Sequence, residues 1–223
     1  MGTLHRGSLR TDSIIKVLVL AEADEMLCYS SMEDQVRSII PRLPPKLQVH
    51  IQVPLEFEGV RQCYVSLEDD GKLETLSELL KTLDHGQCVI FTGGGKVEWL
   101  ADELRERGYS AAFTHGEMDV NTRSSAMREW RSGCYRVLVT TIGLVASCSD
   151  FKQVRLVINY NVPREPEKCL RHLSHFHSVG KAAGRKVVII SLVNRSDERR
   201  LQHYERCCST AIEELPTDLA RLL

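Results

Sequence analysis

Short apolar, β-branched runs alternate with stretches whose apolar residues recur every three or four positions, almost from end to end of the chain. IIKVLVL (14–20) and LQVHIQV (47–53) read as strands, with a helix over 32–40 that stops before Pro41. Pro54 and the LEFEG stretch that follows mark the first boundary, dividing 1–54 from 55–223. Beyond it the alternation becomes regular. Strand 60–67 precedes a helix with Leu73, Leu76, Leu80 and Leu83 on one face, and strand 87–91 precedes one with Val97, Leu100, Ala101 and Leu104 on one face. Strand 109–113, a helix at 120–132, strand 135–141, strand 154–160, a helix near 166–177, strand 186–193 and a helix from Asp197 follow. Strands separated by helices of this length predict an α/β fold, a doubly wound and mostly parallel sheet covered on both faces. In such sheets the loops beyond the strand C-terminal ends carry function. Here they are residues 92–95, 114–116, 140–141 and 160–163.

With 223 residues, 43% hydrophobic and 26% charged, the composition is that of a globular protein. Lys and Arg total 29 against 30 Asp and Glu, so any grip on nucleic acid has to be local. No apolar run approaches the ~20 residues that span a bilayer, so no membrane role is expected. MGTLHRGSLRTDS lacks a signal-peptide core, and Arg6 breaks the myristoylation pattern. None of the eight cysteines forms C-x-x-C, and several sit in apolar runs, as Cys88 does. They read as reduced thiols of a cytoplasmic or nuclear protein, with no zinc spacing.

Candidate chemistry lies at the strand ends. Gly93, Gly94, Gly95 and Lys96 join a strand to a helix, where free N–H groups favour an anion; a flexible turn is the other reading. It is not a Walker loop, because Val97 stands where Ser or Thr is needed. Thr140 and Thr141 offer hydroxyls at another strand end, and Gly116 permits close backbone approach or simply makes a turn. His172, His175 and His177 read as a solvated or partly packed face, since no cysteine or carboxylate joins them at a metal spacing. Arg195, Arg199 and Arg200 read as a solvated basic surface, with nucleic-acid phosphate as the lesser option.

Two segments carry a family resemblance. VLAEADEML (19–27) resembles the V-L-D-E-A-D-E-M-L signature of DEAD-box RNA helicases. From Leu55 to Leu223 the stretches EGVRQCYVSLE, KVEWLADELRERG, HGEM, MREWRSG, RVLVTT, QVRLVINY and STAIEELPTDLARLL resemble the second RecA-like domain of 4A-type translation initiation factors. The resemblance implies that 55–223 is a RecA-like helicase C-terminal domain and that 1–54 is a truncated remnant of the first domain. It also implies RNA contact at Gly93, Gly94, Gly95, Lys96, Gly116, Arg123, Thr140 and Thr141, and places Asp150 opposite a nucleotide ribose.

The departures cluster at the ATP site. Family members hold ATP and magnesium between two such domains, and the first domain's nucleotide loop has no counterpart before Ile14. The first Asp of the signature is Ala21, although Glu22 and Asp24 remain as family-matching carboxylates. The S-A-T coupling motif is skipped after strand 47–53. A-R-G-x-D reads Ala146-Ser147-Cys148-Ser149-Asp150, Q-x-x-R keeps only Arg123, and the two arginine-finger positions become His175 and Ser178. The resemblance therefore implies a helicase-like module without catalytic residues or a resident cofactor. It would bind single-stranded RNA weakly, or a helical scaffold protein of the initiation-factor type. The other reading is an ATP-dependent RNA helicase that works only with parts supplied by another chain.

Overall fold

The computed structural model describes residues 17–20, 30–44, 48–51, 57, 59–83, 86–144, 151, 153–163, 166–208, 210–219 and 222. They fall into two compact units, 1–54 and 55–223. In the first, strands β1 (Val17–Leu20) and β2 (Gln48–Ile51) pair in parallel, with helix α1 (Ser30–Ile39) between them in sequence. A 3-10 turn carries Ile40–Arg42, because Pro41 ends the α-helical hydrogen bonding.

The second unit is built on a seven-stranded sheet ordered β5-β6-β4-β7-β8-β3-β9. Its strands are β3 (Val60–Ser66), β4 (Gln87–Phe91), β5 (Ala111–Thr114), β6 (Val137–Thr140), β7 (Val154–Asn159), β8 (Val187–Val193) and β9 (Glu213–Glu214). Every neighbouring pair is parallel. Successive side chains of a strand point to opposite faces, and the core divides accordingly. Cys88 and Ile90 of β4 pack with Leu76, Leu100 and Leu104 from helices α2 (Lys72–Thr82) and α3 (Val97–Glu106). Val89 and Phe91 face the other way, toward Trp130, Leu173, Phe176 and Leu201. Those four come from α4 (Val120–Arg131), α5 (Pro166–Ala183) and α6 (Glu198–Cys208). With both faces covered, β6 and β8 are buried at every residue, which is why they read as unbroken apolar runs.

Helix α5 runs further than the pattern near 166–177 predicts, to Ala183. Gly184, at φ +62°, ends it in the left-handed conformation. Within the helix, Gly180 is required by a close approach: a Cβ there would stand 2.9 Å from the Arg185 carbonyl oxygen. The short strand β9, beside β3, is not foreshadowed by any run of alternating residues. Among the described residues, no helix is long and apolar enough to cross a membrane.

Of the two readings of the histidine face, solvated or partly packed, the structure bears out the packed one: His172 and His175 are 1% and 2% exposed, and His177 is half-buried. Helix α5 is buried continuously from His172 to Phe176, so its polar flank is enclosed along with its apolar one. The rings sit edge-on to aromatic neighbours: His172 on Phe91 at 4.5 Å and on Phe176 at 4.9 Å, His175 on Phe151 at 5.2 Å and on Phe176 at 5.1 Å. No group of three metal-ligating side chains forms among the described residues.

Candidate nucleic-acid interface

The chain leaves β4 for β5 at the sheet edge, returns through β6, and crosses β4 to reach β7. The turns after β6, β4 and β7 are therefore adjacent at the strand C-terminal ends, where the connectivity reverses and a crevice forms. A groove of about 580 Å³ lies there, walled by residues 92–96, 141–143 and 161–163 and by Arg200.

Its floor turn is accessible backbone. Gly94–Lys96 makes one 3-10 turn, with the Lys96 N–H donating to the Gly93 carbonyl at 2.9 Å. None of the three glycines has a positive φ, and a Cβ on Gly93 or Gly95 would meet nothing within 4 Å. Neither conformation nor crowding demands glycine here. What glycine provides is an uncovered run of peptide groups beside the exposed Lys96. Thr141 lies half-buried in the wall, whereas Thr140 is turned in, 2% exposed, and accepts a hydrogen bond from the Thr114 hydroxyl at 3.0 Å.

Thr114 and Thr140 also line a second concavity of about 320 Å³, together with Arg123, Ser124, Arg131 and Phe151. Arg123 is placed by the start of α4, where the Asp119 carboxylate caps the helix by accepting from the Asn121 and Thr122 N–H groups at 2.9 and 3.0 Å. The Thr122 hydroxyl donates to the same carboxylate and, with those N–H bonds, holds it below the usual carboxylate range. Arg123, one helical turn beyond Asp119, adds its positive charge to the groups that hold that carboxylate down and lines this concavity. Gly116 sits exposed in the turn after β5, outside the lining of either concavity. Glu22, Asp24 and Asp150, like Ala21, lie outside the described residues.

Two groove residues were read from the sequence only as part of a larger set, Asn161 within the 160–163 loop and Arg200 within a basic surface. Asn161 accepts from the Thr92 hydroxyl at 2.8 Å and from the Gly93 N–H at 3.4 Å, tying the β4 and β7 turns together. Arg200, read as part of a solvated surface, is half-buried and donates to Asp197 at 2.7 Å. Asp197 in turn meets Lys72, which is 1% exposed, at 3.4 Å, and the same ammonium donates to the Tyr160 carbonyl at 3.4 Å. The i, i+3 spacing of Asp197 and Arg200 was the available signal; the cross-sheet partner Lys72 was not readable from it.

Behind the groove stands the helix that carries the two finger positions of the resemblance. His175 occupies one of them, and burial pushes its imidazole down to about 4. Burial, with His175 as a secondary cause, pushes His172 down to about 3. Both rings are neutral at physiological pH. Among the described residues, neither ring nitrogen of His172 has a hydrogen-bond partner.

The helicase conserved C-terminal domain matches residues 71–201. Eukaryotic initiation factor 4A-1 of Arabidopsis thaliana is 41% identical over 99% of this chain, and initiation factor 4A of Zea mays is 40% identical over the same share. The chain spans 58% and 59% of the lengths of these two relatives. A DEAD box protein from the hyperthermophile Methanococcus jannaschii shares the fold, with a TM-score of 0.66 at 24% identity over 90% of this chain and 60% of that one. The E. coli DEAD-box protein SrmB, solved bound to regulator of ribonuclease activity A, gives a TM-score of 0.59 at 26% identity over 71% of this chain and 92% of that one.

Proposed function

Because the chain belongs to the DEAD-box helicases, in the group of eukaryotic initiation factor 4A, we propose that it is a catalytically inactive module that binds single-stranded RNA along these strand ends. The observation that carries the reading is a contrast within one domain. The turns facing solvent keep accessible N–H groups, Lys96, Thr141 and Arg123. The residue at the finger position, His175, is a neutral ring packed between Phe151 and Phe176.

Phosphoryl transfer depends on positioned positive charge, and an arginine finger contributes about 10³–10⁵ in rate. A buried, uncharged imidazole offers neither the charge nor the guanidinium fork. Ala21 in the DEAD box and Ser147-Cys148 in place of Arg-Gly point the same way. These residues do not fit an ATP–magnesium group, and no step is assigned to one. RNA phosphates would be held by the 93–96 turn, Thr141 and Arg123, with affinity governed by counterion release. Gly116 and Thr140 contribute shape and hydrogen bonding at the adjoining turns.

Titration of a fluorescent single-stranded RNA at low and moderate salt, with and without ATP and magnesium, tests this. Expected is salt-sensitive binding that nucleotide leaves unchanged, with no hydrolysis above background. Tightening with ATP overturns the inactive reading. No binding at low salt overturns the RNA reading in favour of a helical scaffold protein as partner. A second reading, an ATP-dependent RNA helicase completed by another chain, draws on Glu22, the family-matching carboxylate that the degenerate box retains. It requires RNA-stimulated hydrolysis in a reconstituted mixture that Glu22→Gln abolishes.

A further inference from the structure

Among the described residues no carboxylate lines the groove beside the 93–96 turn, and its side-chain cations are Lys96 and Arg200. Two of its side chains are held in place by bonds that leave their remaining N–H groups unused. The Gly93 N–H can only donate, so the Asn161 atom facing it is the amide oxygen, which also accepts from the Thr92 hydroxyl. The Nδ2 amino group is thereby turned away from Thr92, with two N–H donors and no acceptor among the described residues.

Arg200 presents the second set. Its Nη1 donates to Asp197 Oδ1, while Asp197 Oδ2 is taken by Lys72. One buried carboxylate thus serves two cations, and Lys72 is balanced in addition by Asp69 at 3.2 Å. The groove-facing member of the trio is Arg200, whose guanidinium has donors to spare. The Lys72 ammonium also bonds the carbonyl of Tyr160, the residue before Asn161, so a single buried cation fixes both walls. Asp69, the other acid within reach of Lys72, has its side chain 72% exposed and outside the groove lining.

We propose that Asn161 and Arg200 bind a backbone phosphate of single-stranded RNA in this groove, with the Lys72–Asp197 pair as the positioning element. This rests on the RNA-binding reading above. An amide and a guanidinium, both oriented in advance, lose little entropy on meeting a phosphate oxygen, and the guanidinium bond is charge-assisted.

The test compares wild type, Arg200→Ala and Asn161→Asp in the fluorescent RNA titration across a salt series. Asn161→Asp keeps the acceptor oxygen for Thr92 and Gly93, so the turn is retained while two donors become a negative charge. Each variant is expected to bind about tenfold more weakly, the loss of one charge-assisted bond. Arg200→Ala should also flatten the slope of log affinity against log salt by about 0.7, one phosphate contact on a single strand. Arg200→Lys should recover the slope but not all the affinity. A strand with neutral methylphosphonate linkages should bind wild type and Arg200→Ala alike. Wild-type binding with unchanged affinity and slope in both variants overturns this inference alone. A wild type that binds no RNA overturns the RNA reading, and this inference with it.

Discussion

Lowering the pH from 7 to 5 is expected to destabilise the 55–223 unit through His172 and His175. In the folded chain burial holds their imidazoles down to about 3 and about 4, against 6.5 for an ordinary histidine. Above pH 6.5 both folded and unfolded states carry neutral rings, so the pair leaves stability unchanged with pH. Below 6.5 the unfolded chain takes up protons that the folded chain refuses. Stability then falls by about 1.4 kcal/mol per pH unit for each ring, until the pH reaches the folded values. Between pH 7 and pH 5 that amounts to about 2 kcal/mol per histidine and ~4 kcal/mol for both, a large part of an ordinary domain's stability. Carboxylates held low, such as Asp69, Glu74 and Asp119, lose their contribution only nearer the ordinary carboxylate range, below this window. Urea unfolding followed by circular dichroism at half-unit steps from pH 7.5 to 5 reads the effect. His172→Leu should halve the slope whatever it does to stability at pH 7. A midpoint that stays level from 7 to 5, or an undiminished slope in the variant, would refute the argument.

Lys72→Met should destabilise by about 3 kcal/mol in the same urea assay, because it leaves the 5%-exposed Asp197 side chain with only Arg200 to balance it. Asp197→Asn in the Lys72→Met background should then cost much less than in wild type, and additive losses would count against the pair. Alkylation of the native protein, mapped by mass spectrometry, should label exposed Cys134 well before Cys63 and Cys88. Burial raises the Cys63 thiol and pushes that of Cys88 up to about 12.

The elements of the sheet were legible where burial is complete. VIF in β4 and VVIISLV in β8 are short apolar runs because a parallel strand covered on both faces tolerates nothing else. Legibility failed where a partner distant in sequence decides the outcome. Strand β9 has two residues, and only its pairing with β3 makes it a strand. His172 and His175 look polar on a helical wheel, and it is the aromatic rings of Phe91 and Phe151, from other elements, that enclose them. At the candidate site, the Gly93, Gly94, Gly95, Lys96 turn announced itself by composition. Thr140 and Thr141 looked equivalent, yet the pleat sends one hydroxyl to Thr114 and leaves the other in the groove wall. Arg200 became distinguishable from Arg195 and Arg199 only through Asp197 and the buried Lys72.

The order of strands also has a consequence for how the domain is made. Strand β3 leaves the ribosome first in its unit, yet its sheet neighbours β8 and β9 are its last two strands. At ~5–20 residues per second, the roughly 120 residues between β3 and β8 mean a delay on the order of ten seconds. Throughout that interval β4 to β7 can assemble among themselves, while Cys63, Tyr64 and Val65 wait with both hydrogen-bonding edges open. Nascent chains stalled before Val187 are therefore where this protein is most exposed to chaperones and to mispairing with another chain.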